Sequence, residues 1–164
     1  MAVSVGAGCT RSPDDGAAPT ASAIKHLVVI VQENHTFDNY FGRYCTAPAG
    51  SNPTCTTGPS CCEAAPAREP SGASPINLTD SANGSYDPNH SRSCESSEIH
   101  GGLIDRFVRG ASCSASRNFA VAAPATVATY HRYAREYAIA DRYFQPIVGA
   151  TSSNDMYLAV ARMV

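Results

Sequence analysis

Apolar positions in this chain fall into a few short blocks separated by long polar stretches. The first block, Leu27-Val28-Val29-Ile30-Val31, is continuously apolar and mostly β-branched. Such a run predicts a parallel strand covered on both faces. Gln32, Glu33 and Asn34 then fall at or just past its carboxyl end, the edge at which open α/β sheets bind ligands. Thr36 is a good N-cap, Phe37, Tyr40 and Phe41 share one helical face, and Gly42 is a natural stop. Residues 23–42 therefore predict a first strand–helix unit.

Residues 46–100 carry little periodicity and much Gly, Pro, Ser and Asn. They predict a loop-rich insertion, and a stretch of that length in a compact domain is usually functional or stapled by disulfides. Order returns at His100–Gly110, where Leu103, Ile104, Phe107 and Val108 predict a short amphipathic helix. From Pro124 to Ala140, Val127, Tyr130, Ala134, Tyr137 and Ala138 recur at spacings of three and four. This predicts a helix with a first-turn proline. Ala138–Phe144 predicts a second core strand or an extended segment. A polar loop, Gly149–Ser153, leads to a helix over Asn154–Val164. Tyr130, Tyr137, Tyr143 and Phe144 read as core or pocket-wall aromatics, and Asp141 as a local cap or pair.

Composition narrows the class. The 164 residues suffice for one domain with a core. A formal charge of −2 gives no field to attract nucleic acid. No apolar run is long enough to span a bilayer. The seven cysteines form no convincing paired knuckles, and Cys61 and Cys62 are adjacent, which argues against structural zinc. Disulfides in an oxidising compartment are the better reading, so the protein is expected to be secreted or held in the cell envelope. If Cys9 stands apart, the other six can form three bridges, with the pairing left open. Residues 1–22 read as a disordered tail or the remnant of an export signal, with Cys9 a candidate lipid attachment site. Both ends look cut short, and residues 23–164 read as the front part of a larger domain.

The candidate chemistry gathers at two places. A carboxylate and an amide oxygen at Glu33 and Asn34 are hard ligands suited to a divalent cation, although the pair also suits a plain polar turn. The hydroxyls of Thr151, Ser152 and Ser153 lie just before a helix, where free backbone N–H groups and the helix dipole favour an anion, but each also suits an ordinary N-cap.

The stretch Ile24–Gly42, IKHLVVIVQENHTFDNYFG, resembles the opening motif of a bacterial phosphoesterase family that holds phospholipases C and acid phosphatases. That family commonly reads Ile-Lys-His-Ile-Val-Val-Leu-Met-Gln-Glu-Asn-Arg-Ser-Phe-Asp-His-Tyr-Phe-Gly. Here His35-Thr36 replaces Arg-Ser, and Asn39 replaces His. Asp87-Pro88-Asn89-His90 and His100-Gly101-Gly102-Leu103-Ile104-Asp105-Arg106-Phe107 resemble a second family block. Tyr130 to Leu158 is similar to a third, in which both prolines of a Gly-Pro-Thr-x-Pro-Asn-Arg element are replaced, by Ala150 and Ser153, and the Arg by Asp155.

The resemblance implies an alkaline-phosphatase-like α/β/α sandwich, here incomplete, and hydrolysis of a phosphoric ester. It implies Thr151 as the nucleophile that forms a covalent phosphoryl-enzyme, with Ser152 or Ser153 as alternatives. Glu33 and Asn34 would be ligands of a divalent metal ion of unknown identity, and His90 a phosphate contact and proton donor. His100 stands where the family has Asn and is a weaker candidate. The substrate would be a phosphate ester or a phospholipid, with peripheral membrane contact or a lipid anchor. Family members also draw acidic ligands and histidines from later in the chain, so these residues alone are expected to be inactive or barely stable. The alternative is a secreted, disulfide-stapled binding module without catalysis.

Overall fold

The computed structural model describes residues 24–84 and 86–160; the expectations for residues 1–22 and for Cys9 lie outside them. Residues 24–31 belong to a unit of their own and residues 32–160 to a second. In the first unit the chain is irregular, and Leu27 is 84% and Ile30 81% exposed. The buried parallel strand expected over Leu27–Val31 is thus absent among the described residues. A strand of this kind depends on neighbours for its hydrogen bonds and on flanking layers for its burial. The apolar run specifies the need for them without supplying them.

The second unit is a small α/β structure. Helix α1 (Phe37–Phe41) begins as its sequence directs. Thr36 Oγ1 accepts the Asn39 N–H at 3.4 Å, and Asn39 Oδ1 accepts the Thr36 N–H at 2.8 Å. This reciprocal box satisfies two donors that a helix start would leave orphaned. Asn39 Nδ2 also donates to the Ala120 carbonyl at 2.5 Å, tying α1 to strand β2 (Ala120–Ala122).

Strand β2 pairs in parallel with β1 (Ile76–Leu78), with Ile76 opposite Ala120 and Leu78 opposite Ala122. Neither strand was expected from the sequence: each has three residues, too few for a periodicity to register. Leu78, Ala120, Ala122 and Val127 form one buried cluster, closed by Tyr40, Ile76 and Tyr130. A second cluster joins Tyr44, Cys45, Cys61, Cys62, Ala134 and Ile139 with Phe37 and Phe41. Helix α1 therefore spreads its aromatics over both clusters. Helix α4 (Ala128–Glu136) contributes to the second, and its buried His131 donates from Nε2 to the Tyr40 carbonyl at 2.8 Å.

The region 46–100 is mostly irregular, with a few short elements. It contains β1, a short helix α2 (Asp80–Asn83) and helix α3 (Arg92–Ile99). Three disulfides staple it: Cys45–Cys62, Cys55–Cys61 and Cys94–Cys113. All six cysteines other than Cys9 are used, in a pairing the sequence left open. The Cys45 and Cys62 segments also share backbone bonds, Thr46 N to Pro59 O and Ala47 N to Cys62 O.

Other expectations change. Residues 103–110 form no helix but turns and irregular chain, with Leu103 65% and Ile104 58% exposed, because Gly101, Gly102 and Ile104 all take positive φ, which a helix does not allow. The helix expected over 124–140 is shortened to α4, residues 124–127 forming a turn before it. Residues 138–144 hold no strand: Ile139 bonds from its N–H to Thr56 O in a loop, leaving no ladder. Tyr137, Tyr143 and Phe144 are exposed rather than core, although Phe144 lines a surface pocket, and Asp141 pairs far along the chain, accepting the Glu63 N–H at 3.2 Å. Helix α5 (Thr151–Val160) starts three residues before its expected position.

Candidate functional site

The residues singled out from the sequence come from three segments. Gln32–Asn34 precede α1, Asp87–His90 precede α3, and Thr151 is the first residue of α5 rather than the residue before it. Gln32, Glu33, Asn34, His35, Tyr40, Tyr86 and Asp87 line an open pocket of about 380 Å³.

Thr151 Oγ1 donates to Glu33 Oε2 at 2.8 Å. Ser152 and Ser153 are exposed, and the Ser153 N–H closes the turn onto Ala150 O at 3.2 Å. Of the three hydroxyl residues that open α5, Thr151 is the one bonded to Glu33. Gln32 is held by Tyr130, whose hydroxyl donates to its Oε1 at 2.9 Å.

Asn34 and His90 meet through Asp87. Asp87 Oδ1 lies 3.0 Å from His90 Nε2 and accepts a long hydrogen bond of 3.5 Å from Asn34 Nδ2. Only the amide nitrogen can donate to a carboxylate, so this contact fixes which end of the Asn34 amide is which. The signal was present in the Asp-x-x-His spacing, which sets the two side chains an i,i+3 step apart. His100 is engaged elsewhere, through Nδ1 to Asp105 Oδ1 at 2.7 Å.

Two phenols complete the wall. Burial and then neighbouring Tyr130 push the Tyr40 pKa above its usual value. Burial, with Glu98 and Asp87 adding to it against Arg117, does the same for Tyr86. Both phenols therefore stay protonated. The Tyr86 hydroxyl is committed to Asn118 Oδ1 at 2.6 Å.

The donor chemistry fits a hard divalent cation. Two carboxylate residues, Glu33 and Asp87, and the amide residue Asn34 line one pocket, and such cations take oxygen ligands. A carboxylate has two oxygens, so Glu33 can hold the Thr151 hydroxyl on one and a cation on the other. A different convergent group among the described residues is Cys94, Glu98 and Cys113. Its sulfurs are joined in a disulfide and offer no thiolate, while Glu98 is occupied by Asn118 Nδ2 at 2.9 Å.

Comparison with known proteins bears on all three segments at once. Searches of curated proteins and of solved structures return no match. The model of the Phosphoesterase family matches residues 24–163, which include every residue of the pocket and Thr151. On that span, the chain belongs to the Phosphoesterase family.

Proposed function

We propose that this protein hydrolyses phosphoric esters by transferring the phosphoryl group to Thr151, with a divalent cation at Glu33 and Asn34. Membership of the Phosphoesterase family supports phosphoester hydrolysis at the general level. The observation that carries the finer reading is the 2.8 Å hydrogen bond from Thr151 Oγ1 to Glu33 Oε2. A neutral hydroxyl is a weak nucleophile and needs an adjacent acceptor or a cation to activate it. Here the acceptor already touches it.

The residues divide the work as follows. Glu33 orients the Thr151 hydroxyl and takes its proton as the Oγ1–phosphorus bond forms. Glu33 and the Asn34 oxygen would hold the cation, which supplies positive charge against the phosphoryl oxygens. The N-terminus of α5 presents backbone N–H groups to the same anion. The ester bond to phosphorus breaks, and His90 gives a proton to the departing alcohol. Asp87 holds the imidazole by its Nε2, leaving Nδ1 to meet the substrate. Tyr40 donates to phosphoryl oxygen as a neutral phenol. Water then attacks phosphorus, giving a proton back to His90, while the Oγ1–phosphorus bond breaks and Glu33 returns its proton to Thr151, so that phosphate, or a phosphorylated headgroup, is released.

The enclosing fold is proposed to be an alkaline-phosphatase-like α/β/α sandwich, to which the parallel β1–β2 pair and the flanking helices are consistent contributions. Three disulfides favour an oxidising compartment, and secretion or residence in the cell envelope is proposed on that basis. No helix among the described residues is long and apolar enough to cross a membrane.

The test uses the full natural reading frame that carries these residues. Wild type, T151A and E33A are assayed on p-nitrophenyl phosphate and on phosphatidylcholine vesicles with Mn²⁺ present. Turnover in wild type and its loss in both variants is expected, and the preferred substrate separates phosphatase from phospholipase C. Binding of either compound without turnover in wild type would favour a non-catalytic binding module instead.

A further inference from the structure

The turn that precedes Thr151 is tied to another helix. Gly149, two residues earlier, takes φ +136, and a Cβ built there would stand 3.5 Å from the Cβ of Arg92. The turn therefore lies close against the start of α3. Glu95, on the first turn of that helix, reaches across to it. Its Oε2 accepts the Gly149 N–H at 2.8 Å and a hydrogen of Gln145 Nε2 at 3.0 Å. Hydrogen bonds to an ionised carboxylate are shorter and stronger than neutral ones.

Asn154, from α5, fastens the same turn on its other side. Its Oδ1 accepts the Ile147 N–H at 3.1 Å, and its Nδ2 donates to the carbonyls of Ile147 and Gly149 at 3.1 and 3.2 Å. Asn154 belongs to the helix that Thr151 opens, so it shapes the turn but does not tie it to another part of the protein. Glu95 supplies that tie. Its helix is itself anchored, because Cys94 is bonded to Cys113 and Glu98 receives Asn118 Nδ2. Asn118 in turn accepts the hydroxyl of Tyr86 in the pocket wall. The turn and the wall are thus referred to one stapled helix. Glu95 does not line the pocket.

We propose that Glu95 is a positioning residue for Thr151. It fixes the 145–149 turn to α3 and so sets where the Thr151 hydroxyl stands relative to Glu33. The inference rests on the reading of Thr151 as the nucleophile. A displacement of about 1 Å at a reacting group can cost on the order of a hundredfold in rate, so a restraint two residues away governs turnover without touching substrate.

The experiment compares E95A, E95D, E95Q and T151A in the full natural reading frame with p-nitrophenyl phosphate and Mn²⁺. Active protein is counted by the fraction that remains folded. For E95A, kcat is expected to fall at least about tenfold with KM within about twofold, since a lost positioning contact acts on the transition state rather than on binding. E95Q keeps an oxygen to accept the Gly149 N–H and is expected to recover most of kcat. Should E95A not fold, E95D carries the test. It keeps the charge but shortens the reach by one methylene, and its kcat is expected to fall while the folded fraction does not. Full kcat per folded molecule in E95A, or in E95D where E95A is unfolded, overturns the role of Glu95. Turnover by T151A overturns the nucleophile assignment and this inference with it; the two failures are told apart by which variant stays active.

Discussion

Thr151 Oγ1 and Glu33 Oε2 are 2.8 Å apart although 118 positions separate them in the chain. The hydroxyl donates and the carboxylate accepts, so this is also the direction a proton would take during attack on phosphorus. T151A is expected to lower kcat by at least about a thousandfold, and T151S to keep measurable turnover, because the nucleophile is deleted in one and only loses a methyl in the other. Acid-quenched single-turnover trapping of labelled phosphate on the protein provides the check. Labelling of T151A at the wild-type level would contradict the assignment.

The proposed cation site at Glu33 and Asn34 predicts cation-dependent turnover. Treatment with a chelator is expected to abolish turnover, and added Mn²⁺ to restore it. E33Q keeps an oxygen able to accept the Thr151 hydroxyl but loses the negative charge. Its Mn²⁺ affinity is expected to drop at least about tenfold, roughly 1.4 kcal/mol, as read by titration calorimetry. Unchanged affinity would place the cation elsewhere.

Asn39 closes the capping box of α1 and reaches the Ala120 carbonyl of buried β2 at 2.5 Å. N39A removes both and leaves a backbone acceptor unpaired in the interior. The expected destabilisation is about 2 kcal/mol, measured by urea unfolding. A change within experimental scatter would mean that water replaces the side chain at no cost.

The Cys55–Cys61 loop lies inside the one closed by Cys45–Cys62, and Cys62 is 0% exposed. Replacing the outer pair with alanine is expected to cost about 2–4 kcal/mol, since it frees the longer loop in the unfolded chain. Removing both pairs is expected to cost more than the sum of the two separate losses, because each bridge, while present, shortens the loop that the other has to close. Strict additivity in denaturant midpoints would argue against that coupling.

Two carboxylates give opposite pH signatures. Backbone N–H groups of Gly50 and Asn52, and then Arg142, hold the Glu63 pKa below its ordinary 4.5. Its stabilisation is present above that value and is lost as pH falls through the depressed one. Burial raises the Asp38 pKa above its ordinary 3.8. Its contribution to stability therefore increases as pH falls through the raised value. E63Q is expected to flatten the acid side of the stability profile, and D38N to raise stability near neutrality. Unfolding midpoints at about pH 7 and about pH 4 separate the two; parallel profiles for E63Q and wild type would rule out the Glu63 contribution.

How much of this was legible from the residues depends on the range of the interaction concerned. Thr36, Phe37 and Phe41 announced α1 because a cap and a helical face are local properties. Glu33, Asn34, His90 and Thr151 were marked by motif. That Asp87 joins Asn34 to His90, and that Glu95 holds the turn before Thr151, was not visible. Both depend on contacts between segments far apart in sequence.

The sequence alone determined the chemistry on offer: oxygen ligands, a hydroxyl at a helix start, an imidazole, and six cysteines able to pair. Tertiary structure decided which of them meet. It chose the pairing of the cysteines, made strands of Ile76–Leu78 and Ala120–Ala122, left Leu27–Val31 without a ladder, and brought Thr151 onto Glu33. The reason is physical: side-chain type and spacing set local preference, whereas hydrogen-bond partners across a sheet or a pocket exist only once the chain has folded back on itself.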